Sequence, residues 1–127
     1  MMLKDNNFIS AVVYLHNDGA RAVEFCRTVA AELDANFKQY ELVVVDDACT
    51  DDTVKQLRAW GGEQDAPLTI LHMSIYHGLE DAMNAGLDAA IGDYVYEFDS
   101  TELCYAPTLI MQAYRAARSR ARWSRTH

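Results

Sequence analysis

The sequence predicts an α/β fold, a three-layer, mostly parallel sheet with helices on both faces in the order βαβαβαβα. Three observations predict it. The runs at 8–15 and 42–45 are continuously apolar and rich in β-branched residues, as strands buried on both faces are. Between the runs lie segments whose apolar residues recur every three or four positions, the mark of amphipathic helices. The two kinds of segment then alternate along 127 residues, the length of a single domain spanning 1–127.

The first strand is expected at 8–15, Phe-Ile-Ser-Ala-Val-Val-Tyr-Leu, and is broken by His16-Asn17-Asp18-Gly19. Asn17 or Asp18 is placed to cap a helix over 18–35, with Ala22, Phe25, Cys26, Val29 and Leu33 on its inner face. A strand at about 40–46 follows, and its apolar run stops at Asp46-Asp47. Thr50 stands at the N-cap position of a helix over 51–60, with Asp51 and Asp52 in its first turn. Val54, Leu57 and Ala59 or Trp60 should face inward, and Gly61-Gly62 should end the helix. Pro67 opens a short strand through Leu71, and 72–78 reads as a loop.

A helix over 79–91 is expected to bury Leu79, Ala82, Met83, Gly86, Leu87 and Ala90. Its small residues Ala85, Gly86 and Ala89 allow close approach to a sheet. Tyr94–Phe98 reads as the fourth strand, ending at Asp99-Ser100-Thr101-Glu102, and Pro107 starts a last helix. Glu97 is a carboxylate inside a strand, so it must be paired, protonated or at a sheet margin.

Composition excludes several classes. The net charge is −8, and before residue 115 only six Lys or Arg face nineteen acids, so nucleic acid is not the expected partner. Arg115, Arg118, Arg120, Arg122 and Arg125 form a basic tail over 115–127. It suits a solvated helix end, with peripheral contact to anionic lipid or a phosphate-bearing substrate as the alternative. No apolar run nears the ~20 residues of a membrane helix, and Cys26, Cys49 and Cys104 form neither a disulfide framework nor a metal pair. A cytoplasmic location is the expectation. Cys26 reads as a core residue; Cys49, in the turn before a helix, has the setting of a reactive thiol but no evident base beside it. His72 reads as a satisfied surface or core histidine.

In a doubly wound sheet the carboxyl ends of the strands converge on one rim. There His16-Asn17, Asp46-Asp47 and Asp99-Ser100-Thr101-Glu102 would meet, and carboxylates on one rim suit a hard divalent cation such as Mg²⁺. His77-Gly78 at a helix N-terminus would add backbone amides suited to phosphate. There is no Gly-x-Gly-x-x-Gly and no Walker loop. A response-regulator receiver is disfavoured because the acid pair follows the second strand and no lysine occurs after Lys55.

Four segments together resemble the N-terminal, nucleotide-binding half of an inverting family 2 glycosyltransferase with the GT-A fold. Ser10–Asn17 is similar to that family's first strand and Pro-x-Tyr-Asn turn. Asp46–Thr53 is similar to its Asp-Asp-Gly-Ser-Thr-Asp-Asp-Thr signature. Gly78–Val95 resembles its Gly-x-x-x-Ala-x-Asn-x-Gly helix and following Gly-Asp-Tyr-Val strand, and Asp99-Ser100-Thr101 holds the place of its Asp-x-Asp motif. Within the family, 71–74 and the following helix most resemble polyprenyl- or dolichyl-phosphate sugar synthases.

The resemblance implies binding of a UDP- or GDP-sugar and transfer of the sugar, with inversion, to an unknown acceptor such as a polyprenyl phosphate or growing glycan. It implies that His16, Asn17, Asp46, Asp47, Gly78, Asp99 and Thr101 line the nucleotide-sugar site, with His16 against the base and Asp47 accepting from it. It implies Mg²⁺ or Mn²⁺, with Asp99 and Glu102 as the ligands. Tyr14 stands where the family has proline, His16 where it has tyrosine, and Thr101 where it has the metal-binding acid. The general base and acceptor segment belong to a later part of such enzymes, and no residue up to His127 is matched to them. The alternative is a degenerate, weakly active or inactive nucleotide-sugar-binding or assembly module, a homodimer covering its open sheet edge.

Overall fold

The computed structural model describes residues 4–98. It contains β1 (Asp5–Leu15), α1 (Ala20–Asn36), β2 (Phe37–Asp47), α2 (Thr53–Gln64), β3 (Leu68–Met73), α3 (Leu79–Ala89) and β4 (Tyr94–Phe98). Asp99, Thr101, Glu102, the helix expected from Pro107 and the basic tail lie outside the described residues.

All four strands are parallel, in the order β3-β2-β1-β4. Strand pleating explains the continuous apolar runs. Ile9, Ala11, Val13 and Leu15 of β1 and Leu42 and Val44 of β2 pack under α1 and α2. The alternate residues Val12, Val43 and Val45 pack under α3. Both faces of the two central strands are therefore covered, and the one buried polar residue within the apolar run of β1, Ser10, is held by hydrogen bonds with Glu41 and Gly92. Each large aliphatic or aromatic side chain so buried contributes about 1.5–3 kcal/mol.

The expected inner face of α1 holds: Ala22, Phe25, Cys26, Val29 and Leu33 are all buried. Its cap is different. The helix starts at Ala20 with Gly19 at the N-cap, φ 61°, and neither Asn17 nor Asp18 caps it. Asp18 instead accepts from the His16 amide at 2.9 Å and pairs with Arg21. The second helix begins at Thr53, so Thr50 is not its cap and Asp51 and Asp52 precede its first turn. Asp51 holds the start by accepting from both the amide, at 3.1 Å, and the hydroxyl of buried Thr53.

Gly61-Gly62 does not end α2, which continues to Gln64 and closes on Asp65 in the left-handed region at φ 51°. The ~1 kcal/mol penalty of a helical glycine is offset at Gly61 by packing against Leu68, whose Cδ2 would lie 2.9 Å from any added Cβ. Leu57 and Trp60 point inward while Ala59 is exposed. Trp60 Nε1 is a buried donor without a protein partner among the described residues. The third strand extends through Met73 because β2 continues alongside it, pairing Asp46 with His72 and Asp47 with Met73. Glu97 lies exposed on β4, an edge strand among the described residues, which satisfies its charge.

Helix α3 buries Ala82, Met83 and Gly86, while Leu79 is 40% exposed at its first turn. The small-residue face meets the sheet, with Ala89 packed against the α3-side core and Gly86 in the tightest contact. A Cβ on Gly86 would overlap Val12 Cγ1 and come within 2.8 Å of Val45 Cγ2. After α3 the chain is pinned to β1: Gly92 donates to the Ser10 hydroxyl at 2.8 Å, and Asp93 donates to the Phe8 carbonyl at 2.7 Å.

Gly86→Ala is expected to lower stability by about 1–3 kcal/mol in urea denaturation, the cost of overpacking a closed interface. Gly62→Ala, exposed with nothing within 4 Å of the new methyl, should raise it by about 0.5–1 kcal/mol. Equal effects from the two would refute the close packing of α3.

Candidate nucleotide-binding rim

Parallel strands bring the carboxyl ends of β1 and β2 side by side, Leu15 opposite Asp46, and β4 ends beside β1 with Phe98 opposite Val13. The predicted His16, Asn17, Asp46, Asp47 and Gly78 thus come together on one rim. Asp99, Thr101 and Glu102 lie outside the described residues, so their expected places are not tested.

Asp47 is the centre of this rim. It is fully buried, yet both carboxylate oxygens are occupied by protein donors. Oδ1 accepts from the His77 amide at 2.8 Å. Oδ2 accepts from the Gly78 amide at 2.9 Å and the Tyr14 hydroxyl at 2.7 Å. Burial pushes its carboxyl pKa up, but the His77 and Gly78 amides and the Tyr14 hydroxyl outweigh this, and the net shift is downward. Burial and the neighbouring carboxylate push the Tyr14 phenol upward, so it remains a donor. The amides expected to be open for phosphate are therefore engaged within the chain. In the same way, the Asp47 carboxylate, expected to accept from a base, holds three protein donors.

The backbone of Asp47 serves as well. Its carbonyl accepts from His16 Nδ1 at 2.7 Å, which puts the ring proton on that nitrogen. The exposed His16 ring lies against Tyr76, centroids 4.8 Å apart and tilted 58°.

A second cluster ties the turn after β1 to the turn after β2. Asn17, at φ 58°, accepts through Oδ1 from the Thr50 amide at 2.7 Å and the Asp51 amide at 3.3 Å. Its own amide donates to Cys49 Sγ at 3.3 Å, and Gly19 donates to the Thr53 hydroxyl at 2.7 Å. Burial and nearby Asp46 push the Cys49 thiol up to about 12, so it is an acceptor in the turn and not a reactive thiolate. Ala48 sits at φ 57° where a glycine would be unstrained. Asp46 accepts from the Cys49 amide at 2.8 Å and from His72 Nδ1 at 2.7 Å.

Sequence reasoning missed Tyr14 as the donor that completes Asp47. The available signal was a phenol near the end of an aliphatic strand, with a carboxylate pair ending the next run. It also missed Tyr76, which had no distinguishing pattern, and Arg58, whose contact with His72 spans two elements.

A parallel α/β sheet with acidic and amide groups assembled at the carboxyl ends of β1 and β2 is where open α/β folds place their ligand groups, and the fold matches solved GT-A glycosyltransferases. The chain belongs to glycosyl transferase family 2, whose family model matches residues 10–121. It is 28% identical over 94 residues to the undecaprenyl-phosphate 4-deoxy-4-formamido-L-arabinose transferase of Shewanella sediminis, covering 74% of this chain and 28% of that protein. It is 31% identical over 91 residues to the dodecaprenyl-phosphate galacturonate synthase of Rhizobium johnstonii, covering 72% of this chain and 27% of that one. The chain thus spans under a third of the length of these relatives. Among solved structures, the mannosyltransferase PcManGT of Pyrobaculum calidifontis, in complex with GDP-Man and Mn²⁺, superposes with a TM-score of 0.75 at 26% identity. That match covers 89% of this chain and 33% of PcManGT. The fold is shared also with residues 1–349 of S. aureus TarS in complex with UDP-GlcNAc, at a TM-score of 0.67 and 20% identity over 87% of this chain and 31% of that one.

Tyr14→Phe is expected to cost about 1–3 kcal/mol, because buried Asp47 loses a donor. Asp46 and Asp47 both have lowered pKa values, so the stability they contribute is present above the ordinary carboxylate range near 4 and is lost as pH falls through their folded values. Acid unfolding followed by circular dichroism should therefore be shallower in Tyr14→Phe. Ala48→Gly should stabilise by about 1 kcal/mol through relief of the left-handed backbone; a loss of stability would count against the turn geometry.

Proposed function

We propose that this chain is the donor-binding part of a glycosyltransferase that takes a UDP- or GDP-sugar and transfers the sugar, with inversion, to a polyprenyl phosphate. The observation that carries the reading is the cross-linked rim at the ends of β1 and β2, built from the residues that match the family's motifs. The named activities of the relatives, both of which act with polyprenyl phosphates, support the acceptor class. The complexes of PcManGT with GDP-Man and TarS with UDP-GlcNAc support the donor class.

The residues divide the work. His16 and Tyr76 offer exposed ring surface for a base at the mouth of the rim. Asn17, Asp46 and Asp47 hold the turns in place through their hydrogen bonds, and Gly78, at φ 90°, lets the β3–α3 loop present its amides to Asp47. Asp99 and Thr101 follow β4 in sequence and complete the proposed donor site.

Mg²⁺ or Mn²⁺ fits this reading through oxygen donors. Asp47 already holds three protein donors and Asp46 two, and no cluster of three potential ligands occurs among the described residues. The family resemblance assigns the ion to Asp99 and Glu102, whose carboxylates suit either cation. Such an ion supplies Lewis-acid stabilisation of the charge on a leaving nucleoside diphosphate. We place the protein at the cytoplasmic face of a membrane, where the arginine tail suits anionic headgroups.

Calorimetric titration of UDP and of GDP, with and without Mn²⁺, tests the proposal. Metal-dependent binding that Asp99→Asn weakens about tenfold or more is the expected result. No binding of either nucleotide would favour the degenerate assembly module, for which Thr101 in place of an acid speaks; sedimentation would then show a dimer.

A further inference from the structure

Arg58 and His72 were given no role at the rim by the family's motifs, yet they form a chain into it. Arg58 Nη2 is 2.6 Å from His72 Nε2, and His72 Nδ1 is 2.7 Å from Asp46 Oδ2. A guanidinium only donates, so His72 Nε2 must accept and the imidazole proton must sit on Nδ1. The ring is thereby a neutral bridge, with its donor on the carboxylate and its acceptor on the arginine. The side chains run from the surface inward: that of His72 is 48% exposed and that of Asp46 9%.

The fold aligns the three groups. Parallel pairing puts His72 directly beside Asp46. The turn after β2 leads into α2, which carries Arg58 on to His72. Asp46 then uses its other oxygen to fix the Cys49 amide at 2.8 Å, next to strained Ala48 and to the Sγ that receives the Asn17 amide. Burial raises the Asp46 pKa, but the bonds from Cys49 and His72 bring it below the ordinary value, so it meets them as a carboxylate.

We propose that His72, held by Arg58, is a positioning residue for the donor site: it orients Asp46, and through Asp46 the 47–50 turn that joins the two halves of the rim. This rests on the reading of the rim as a nucleotide-sugar site. The residue touches no substrate; its effect passes through the turn.

Two variants of the full chain separate positioning from bulk packing. In His72→Asn the amide nitrogen takes the place of Nδ1 and keeps the donor to Asp46. In His72→Phe the ring stays and both polar contacts go. Long-range ¹H–¹⁵N correlation of the wild-type ring should show the neutral Nδ1–H tautomer; the Nε2–H tautomer would overturn the chain. Exchange of the Cys49 amide should be about tenfold faster in His72→Phe and near wild type in His72→Asn. Unchanged exchange in both would overturn the role of Asp46. UDP or GDP affinity, whichever binds, should fall about tenfold in His72→Phe and stay within about twofold in His72→Asn. Wild-type affinity in His72→Phe would overturn positioning. Failure of wild type to bind either nucleotide, with the tautomer and exchange results intact, would overturn the donor-site reading while the ordering of the turn by His72 stands.

Discussion

A buried carboxylate must be paired, and the way Asp47 is paired decides the shape of this rim. An uncompensated charge at that depth costs several kcal/mol. Three donors meet it, from β1 and from the loop before α3, while the carbonyl of the same residue holds His16. One residue, through its side chain and its carbonyl, therefore fixes the ends of two strands, the entry of a helix and the ring at the rim's mouth. The amides at the α3 N-terminus are used to bury an acid belonging to the protein, so the positive end of that helix acts here on the fold.

The fold was legible because its forces are local in pattern. Residues 8–15 and 42–45 are apolar on both pleats since helices cover both faces, and the inner face of α1 recurs at helical spacing with no exceptions. What was not legible is where hydrogen bonds override a local rule. Gly61-Gly62 carries the strongest stop signal in the chain, yet α2 runs on to Gln64, and the Gly61 carbonyl accepts from the Ala66 amide at 3.0 Å. Thr50 has the residue type of a cap, but its amide is taken by Asn17, and the helix waits for Thr53.

The site was legible in its members and not in their partners. Asp46 and Asp47 stood out by ending an apolar run, and His16 and Asn17 by ending another. That Tyr14 completes Asp47, or that Arg58 reaches Asp46 through His72, depends on register and on the return of α2. Neither follows from spacing along a single element. Two residues expected to face a ligand, Asp46 and Asp47, instead hold the turns through protein donors, while the ring of His16 stays exposed at the rim.

The strand order β3-β2-β1-β4 has a further meaning in the time domain. β1, β2 and β3 are neighbours both in sequence and in space and are complete by Met73, whereas β4 passes over them to pair with β1. A ribosome adding roughly 5–20 residues per second leaves an interval on the order of seconds before residues 94–98 exist. Throughout it, the edge of β1 carries unpaired amides and carbonyls along an aliphatic strand, the kind of edge that recruits other chains. When residues 94–98 arrive, β4 covers the edge of β1, and among the described residues the open edge passes to β4.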